Sequence, residues 1–299
     1  MTPKAAAIGT FDGVHLGHAE VLSTLKKVAM EKGLQPIAIT FDRHPLDLIA
    51  PQRAPKAITT IAKKKDLISK KGVTPVVLPF DETLRKTTAK DWMTLLRNEH
   101  NVRVLVVGYD NTFGSDGVNM SIADYRSIGK HLGMEVIEAP LVAGVSSSAI
   151  RKAVAAGNVT DANDMLGRHF LLPGKVVTGN RLGRTIGFPT ANILTQPGIV
   201  VPKRGVYAAI ALLPDGSKHP AMVNIGVRPT IRRGNEQTVE ANIINWEGDL
   251  YGKDISLLFY SRIRDEQQFD SIDILRHQLE EDREAAISII EPNSVKNQK

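Results

Sequence analysis

The stretch Ile8-Gly-Thr-Phe-Asp-Gly-Val-His-Leu-Gly-His18 decides how the first half of this 299-residue chain is read. A short apolar strand, Ala5 to Ile8, gives way here to a helix expected to begin near Gly17. In open α/β folds the carboxyl end of a strand is where ligands bind. The helix N-terminus that follows offers unpaired N–H groups and a positive dipole end to a phosphate. Gly13 and Gly17 let the backbone approach such an anion. His15 and His18 stand at i and i+3, share a helical face, and can both point at it. The pair reads as a nucleotide-phosphate site built from neutral or protonated imidazoles. The competing readings are a chance surface pair and half of a zinc site. Zinc would need further ligands. The chain has no cysteine, and His44, His100, His131, His169, His219 and His277 show no paired spacing. The metalloprotease pattern His-Glu-x-x-His is absent as well.

Outward from this stretch, the first half alternates short apolar runs with helical patterns, the mark of βαβ units and a mostly parallel sheet. Strands are expected at Ala5–Ile8, Gln35–Thr40, Thr74–Leu78, Val102–Val107 and Glu135–Glu138. Helices are expected at Ala19–Lys32, Thr60–Lys71, Ala89–Glu99 and Ile122–Leu132, then at Ser148–Ala156, with a further short one ending at Leu166. From about Phe170 strands follow one another without helices: Gly174–Thr178, Gly205–Leu213, Ala221–Ile225, Thr238–Ile244 and Ile255–Tyr260. Gly and Pro punctuate them, which predicts an antiparallel barrel or sandwich. A closing helix is expected from Ser271 to about Ile290, and a disordered polar tail from Pro292 to Lys299. The domains are accordingly set at residues 1–165 and 166–299.

Composition narrows the classes further. A hydrophobic share of 42% and a charged share of 23% are ordinary for a globular protein, and the length allows two cores. No apolar run approaches the roughly 18 residues of a membrane span. The opening MTPKAAAIGT enters a strand directly and is not expected to act as a secretory signal. Zero cysteines fit a cytoplasmic protein. A net charge of +6 is compatible with nucleic acid, with polyphosphate substrates, or with neither. The densest basic runs, Lys63-Lys64-Lys65 and Lys70-Lys71, lie along a helix with Ile61, Leu67 and Ile68 inward, and read as a solvated face.

Three more fragments fall at strand ends or helix starts in the first half. They are Phe41-Asp-Arg-His-Pro45, Gly108-Tyr-Asp-Asn-Thr-Phe-Gly114 and Val145-Ser-Ser-Ser-Ala-Ile-Arg151. Hydroxyls and a guanidinium at a helix start suit phosphate oxygens. Ser146 reads equally as a helix N-cap, and Arg151 as a surface charge. In the second half, Gly183-Arg-Thr-Ile-Gly-Phe-Pro-Thr-Ala-Asn192 is a glycine-rich loop without the Gly-Lys-Ser/Thr ending of a P-loop. Its Thr190 hydroxyl and Asn192 carbonyl are oxygen donors suited to Mg²⁺. A rigid turn set by Gly187 and Pro189 is the plainer reading.

Taken together the fragments resemble one family. The Gly-x-Phe-Asp-Gly-x-His-x-Gly-His run is similar to the His-x-Gly-His signature of adenylyl-transferring α/β nucleotidyltransferases. With Phe-x-x-His-Pro, the Gly108–Gly114 loop and the Ser-Ser-Ser-x-Ile-Arg run, it resembles the first half of the prokaryotic riboflavin kinases fused to FMN adenylyltransferases. Asn224-Ile-Gly-Val-Arg-Pro-Thr230, Val239-Glu240, Gly248-Asp-Leu-Tyr-Gly252 and Arg264-x-Glu-x-x-Phe269 resemble the kinase half. The chain departs from the family pattern at Asn111 (usually aromatic), Ser148 (threonine), Asn242 (histidine) and Asn245 (aspartate). At Asn242 and Asn245 altered strand hydrogen bonding is expected rather than lost kinase activity.

The resemblance implies a Rossmann-like nucleotidyltransferase domain with a parallel sheet and a C-terminal antiparallel β-barrel with a closing helix. It implies phosphorylation of riboflavin to FMN, then transfer of AMP from ATP to FMN to give FAD and pyrophosphate, with ATP as co-substrate and Mg²⁺ as cofactor. His15 and His18 would stabilise charge in adenylyl transfer, and Gly9, Phe11, Ser146, Ser147, Ser148 and Arg151 would bind that ATP. Asp110 would contact ribose, flavin or Mg²⁺. In the kinase half, Gly183, Gly187, Phe188, Thr190 and Asn192 would bind ATP, with Thr190 and Asn192 as metal ligands. Glu240 would be the base, an exposed strand carboxylate being the alternative, and Arg264 would touch flavin. No nucleic-acid or membrane partner is expected. Another nucleotidyltransferase with the same histidine signature lacks a reason for the kinase-like half, and no Lys-Met-Ser-Lys-Ser run occurs. A flavin- or RNA-binding regulator that lost catalysis has no need of His15, His18, Thr190, Asn192 and Glu240 together.

Overall fold

The computed structural model describes residues 2–109, 112–179, 182–230 and 234–294. The chain divides into two compact units, Met1–Ser147 and Ser148–Lys299.

The first unit runs β1 (Lys4–Ile8), α1 (Leu16–Glu31), β2 (Gln35–Phe41), α2 (Pro45–Ile49), α3 (Ile61–Lys70), β3 (Thr74–Leu78), α4 (Glu82–Lys86), α5 (Ala89–Asn98), β4 (Val102–Val107), α6 (Ile122–Leu132) and β5 (Glu135–Glu138). Its strands form one parallel sheet in the order β3-β2-β1-β4-β5. The small residues of β1 explain its central place. Ala6 and Ile8 enter one core layer with Trp92, Met93 and Leu96. Ala5 and Ala7, on the alternate face, enter the other with Leu22, Leu25 and Ile68. The strand order reverses between β1 and β4, so the chain leaving β1 at Ile8 runs straight into the crevice of the sheet.

One sequence expectation fails in α3. Lys65 is exposed as expected, but Ile61 faces solvent and Lys64 is buried, with 8% of its surface accessible. The helical period places Lys64 one turn before the fully buried Ile68, on the same face.

From the second residue of α7 (Ser147–Ala156) onward, the second unit runs through α8 (Val159–Leu166), β6 (Phe170–Val177), α9 (Leu182–Thr185), β7 (Ala191–Thr195), β8 (Gly205–Leu212), β9 (Lys218–Thr230), β10 (Gly234–Ile243), β11 (Asp254–Arg264) and α10 (Ile272–Ser294). The strands close an antiparallel barrel in the order β10-β7-β6-β11-β8-β9. β7, which hydropathy alone did not mark, supplies the closing seam. Helix α10 lays Ala286 and Ile290 against Val206, Ala208, Met222 and Tyr260 on the outside of the barrel. It continues past Ile290 through Pro292 to Ser294, where a disordered tail was expected, and residues 295–299 lie outside the described part.

Compactness assigns all of α8 and nearly all of α7 to the barrel's unit, whereas composition drew the boundary at 165. A buried amide shows why α8 goes with the barrel. The Asn163 Nδ2 group donates to the Phe259 carbonyl at 2.9 Å and the Tyr260 carbonyl at 3.3 Å, while its Oδ1 accepts from the Phe170 N–H at 2.7 Å. One side chain thus joins α8 to the start of β6 and the middle of β11. Asn163→Ala removes these three bonds from a buried site and is expected to destabilise the second unit by about 2–3 kcal/mol. Urea unfolding in a Trp92→Phe background, where Trp246 is the sole tryptophan, checks this.

Candidate active sites

After β1 the backbone enters the left-handed region at Phe11 (φ 46°), Gly13 (φ 82°) and Val14 (φ 40°). Gly13 takes this conformation freely. For Phe11 and the β-branched Val14 it costs on the order of 1–3 kcal/mol each. Asp12, between them, supplies the compensation. Its buried carboxylate accepts from the Ile58 N–H at 3.0 Å, the Thr59 N–H at 3.1 Å and the Thr59 hydroxyl at 3.3 Å. The Gly13 N–H donates to the same Thr59 oxygen at 3.1 Å, and the Ser147 hydroxyl donates to the Asp12 carbonyl at 2.9 Å.

The loop delivers His15 to the start of α1 in a way its spacing did not predict. His15 is not the first residue of a shared helical face but the N-cap, with extended backbone, and its Nδ1 accepts from the His18 N–H at 3.3 Å. An imidazole that accepts at Nδ1 carries its proton on Nε2. The two rings stack, 3.7 Å between centroids and 17° between planes. Phe11, fully buried, presses its ring edge-on against His18 at 5.2 Å. Phe11 is therefore a core side chain that sets the pose of His18. The Gly9 N–H is committed to the Ile39 carbonyl at 3.0 Å. Ser146 stands immediately before the first helical residue of α7, and Ser148 and Arg151 lie within that helix, in the second unit. Asp110 and Asn111 lie outside the described residues. His44, from the second fragment, caps α2 by accepting from the Leu46 N–H at 3.1 Å.

In the second unit, strand register assembles the candidate kinase residues. Glu240 on β10 stands opposite Asn192 on β7 and opposite Asn224 on β9. Residues paired across neighbouring strands share a face, so the two amides flank the carboxylate in one row. Met222, two residues before Asn224, packs beneath α10, which puts this row on the outer, helix-bearing face. A Cβ on Gly179 would overlap the Asn192 amide, so glycine there is what leaves that amide its place.

The loop leading to Asn192 is held from both ends. The Gly183 carbonyl accepts from the Phe188 N–H at 2.8 Å, and Phe188 anchors in the cluster under α10. Asn242, buried on the same face as Glu240, donates from Nδ2 to the Pro189 carbonyl at 2.8 Å. Sequence comparison marked Asn242 as a departure in strand bonding; its bond goes instead to the residue before Thr190. Asn245 lies beyond β10 at φ 53°, a conformation asparagine tolerates well. Arg264 makes a two-pronged ion pair with Asp282 of α10, Nε to Oδ1 at 2.8 Å and Nη2 to Oδ2 at 2.6 Å, with that carboxylate 1% exposed. A cleft of about 620 Å³ opens beside Pro189 and Thr190, walled by Ala191, Ala241, Trp246 and Tyr251. Among the described residues no group of three His, Cys, Asp or Glu side chains is placed to hold a metal. The oxygens of Thr190, Asn192 and Glu240 fit a hard cation that takes most of its ligands from substrate phosphates and water.

The chain matches two family models: that of FAD synthetase over residues 1–151 and that of riboflavin kinase over residues 166–290. The bifunctional riboflavin kinase/FMN adenylyltransferase of Bacillus subtilis (strain 168) is 35% identical over 287 residues, covering 94% of this chain and 90% of that protein. The protein of the same description from Escherichia coli (strain K12) is 35% identical over 281 residues, covering 92% and 89%. A crystal structure described as a macrolide-efflux protein from Streptococcus pneumoniae superposes with a TM-score of 0.88 at 32% identity, covering 95% of this chain and 94% of that one. A parallel α/β unit followed by a six-stranded barrel, matched in that order by the two models, defines a two-domain nucleotide-dependent transferase. The chain belongs to the bifunctional riboflavin kinase/FMN adenylyltransferase family.

The Asn242 contact gives a prediction particular to this sequence. Asn242→Leu releases the Pro189 carbonyl and loosens the loop that carries Thr190. The KM for ATP in riboflavin phosphorylation is expected to rise about 5–20-fold, the loss of roughly one hydrogen bond. Steady-state kinetics of both reactions check it, and the FMN-to-FAD step should keep its rate.

Proposed function

We propose that the barrel unit phosphorylates riboflavin at the row formed by Asn192, Glu240 and Asn224, and that the α/β unit joins AMP to the resulting FMN at the loop ending in His15 and His18. The observation that carries the reading is the register of β10 with β7, which sets Glu240 directly opposite Asn192, two residues after Thr190.

In the first reaction the Glu240 carboxylate accepts the proton of the riboflavin primary hydroxyl as that oxygen attacks the γ-phosphate of ATP and ADP leaves. Thr190 and Asn192 are the residues that would hold Mg²⁺ with the ATP phosphates, and the bound ion would neutralise charge on the transferring group. Arg264, fixed on Asp282, orients the Arg264–Phe269 segment rather than acting as a free charge.

The second reaction needs no base, because the FMN phosphate is already an anion. An oxygen of that phosphate attacks the α-phosphate of ATP and pyrophosphate leaves. The catalytic task is to receive charge on the α-phosphate and the leaving group. His15, with its Nε2–H, and His18, held by the Phe11 edge, are the donors. Ser147, whose hydroxyl holds the Asp12 carbonyl, and the neighbouring Ser146 add phosphate contacts.

Incubation with riboflavin, ATP and Mg²⁺, followed by separation of the flavins, should give FMN and then FAD. Unchanged riboflavin refutes the reading, and omission of Mg²⁺ should stop the first step. Glu240→Ala is expected to lower FMN formation about 10²–10⁴-fold, the usual scale of a lost general base, while supplied FMN still becomes FAD. His18→Ala should do the converse, with FMN accumulating as adenylyl transfer drops about 10²–10³-fold.

A further inference from the structure

Lys64 is the middle lysine of a run whose composition reads as a solvated face, yet it is buried. Its Nζ donates to the Thr10 carbonyl at 3.0 Å and to the Phe41 carbonyl at 3.1 Å. These carbonyls lie at the carboxyl ends of β1 and β2, the edge from which the His15 loop departs. Burial pushes the ammonium's pKa down, and the carboxylates of Asp12 and Asp42 pull it back up through space. An apolar side chain of similar length would fill the same volume without a buried charge to desolvate. The amine therefore has its use in what it holds.

What it holds is the first peptide of the strained loop. The Thr10 carbonyl and the Phe11 N–H belong to one rigid plane. Fixing that oxygen fixes the plane from which Phe11 turns to φ 46°. The Thr40 hydroxyl donates to the same oxygen at 3.0 Å. Two residues on, Asp12 is gripped by Ile58 and Thr59, which immediately precede Thr60, the N-cap of α3. Lys64 is one turn inside that helix. A single segment, residues 58–64, thus holds the loop at both Thr10 and Asp12. From there the chain runs through Val14 into the His15 cap and the stacked imidazole pair.

We propose that Lys64 is a positioning residue for adenylyl transfer, its ammonium fixing the Thr10–Phe11 peptide so that His15 and His18 meet the phosphates in reactive alignment. This rests on the reading of the two histidines given above. Lys64 acts through the backbone and touches neither nucleotide nor flavin. Its loss therefore lowers the rate of the bound complex rather than substrate binding.

Lys64→Met in the full chain removes both bonds and keeps most of the stem. The kcat for conversion of FMN to FAD is expected to fall about 10–100-fold, the scale of a misplacement near 1 Å. The KM values for FMN and ATP should stay within about threefold, and riboflavin phosphorylation should be unchanged. Lys64→Arg, which restores the charge and donors, should recover most of the rate. The ring ¹⁵N shifts of His15 and His18 should move in Lys64→Met and return in Lys64→Arg. A folded Lys64→Met protein with wild-type kcat and only a lower melting temperature overturns the proposal. So does a raised KM at unchanged kcat, which would make Lys64 a substrate contact. If circular dichroism shows Lys64→Met unfolded, Lys64→Gln, which keeps a donor, takes its place under the same criteria. His18→Ala, run alongside, separates the two levels: full FAD synthesis in that variant rejects the histidine reading itself, while a large loss there with an unchanged Lys64 variant rejects the role of Lys64 alone.

Discussion

Between β1 and α1 the chain must turn sharply enough to bring a helix N-terminus and two imidazoles over the crevice of the sheet. Left-handed backbone at Phe11, Gly13 and Val14 achieves that turn, and two of the three are not glycine. Such a loop does not keep its shape by local preference. It keeps it because a buried carboxylate at Asp12 finds three donors on Ile58 and Thr59, and because Thr10 is tied by Thr40 and Lys64. Each donor lies at least 30 residues away in sequence. The loop therefore acquires its geometry only when β1, β2 and the start of α3 are already packed. A site that can form only on a finished scaffold arrives pre-organised, which is what electrostatic stabilisation of a transition state requires.

The barrel solves its positioning problem by register. Its seam between β10 and β7 aligns Glu240 with Asn192 and Ala241 with Ala191. A slip of one residue would turn Glu240 into the barrel interior and bring an alanine to the outer row. The buried faces of Val239, Ala241 and Ile243 make that slip costly. Hydrophobic burial on one face of β10 thus fixes the polar row on the other. Asn242 extends the arrangement by reaching from the same face to Pro189, so that the strand bearing the carboxylate also holds the loop leading to Thr190.

Most of the architecture was legible because it is written in periodicity. The five parallel strands are apolar runs bounded by turns, and the observed bounds differ from the expected ones by no more than a residue at either end. β7 was not legible: Ala-Asn-Ile-Leu-Thr is short, follows a loop rich in glycine and proline, and becomes a strand by pairing with β6 and β10. Lys64 was misread because periodicity counts lysine as polar, whereas its partners lie 54 and 23 residues away. The helical spacing of His15 and His18 suggested parallel projection from one face. Capping places His15 before the helix instead, and stacking replaces projection. The small helices α2 and α4 went unseen as well, each set by a cap and a single turn rather than by an apolar stripe.

The stacked pair also constrains how charge can be shared. Two imidazolium rings at 3.7 Å between centroids would repel strongly in a half-buried setting. His15 cannot be protonated at Nδ1 while that atom accepts from the His18 N–H. The neutral state of His15 is therefore bound up with the helix cap, and a protonated His15 would have to give up its hold on the first turn of α1. The His18 ring packs against Phe11 as well as against His15. In this arrangement the two histidines of the motif are not duplicates. His15 caps the helix start through its Nδ1, and His18 is the ring packed between His15 and Phe11.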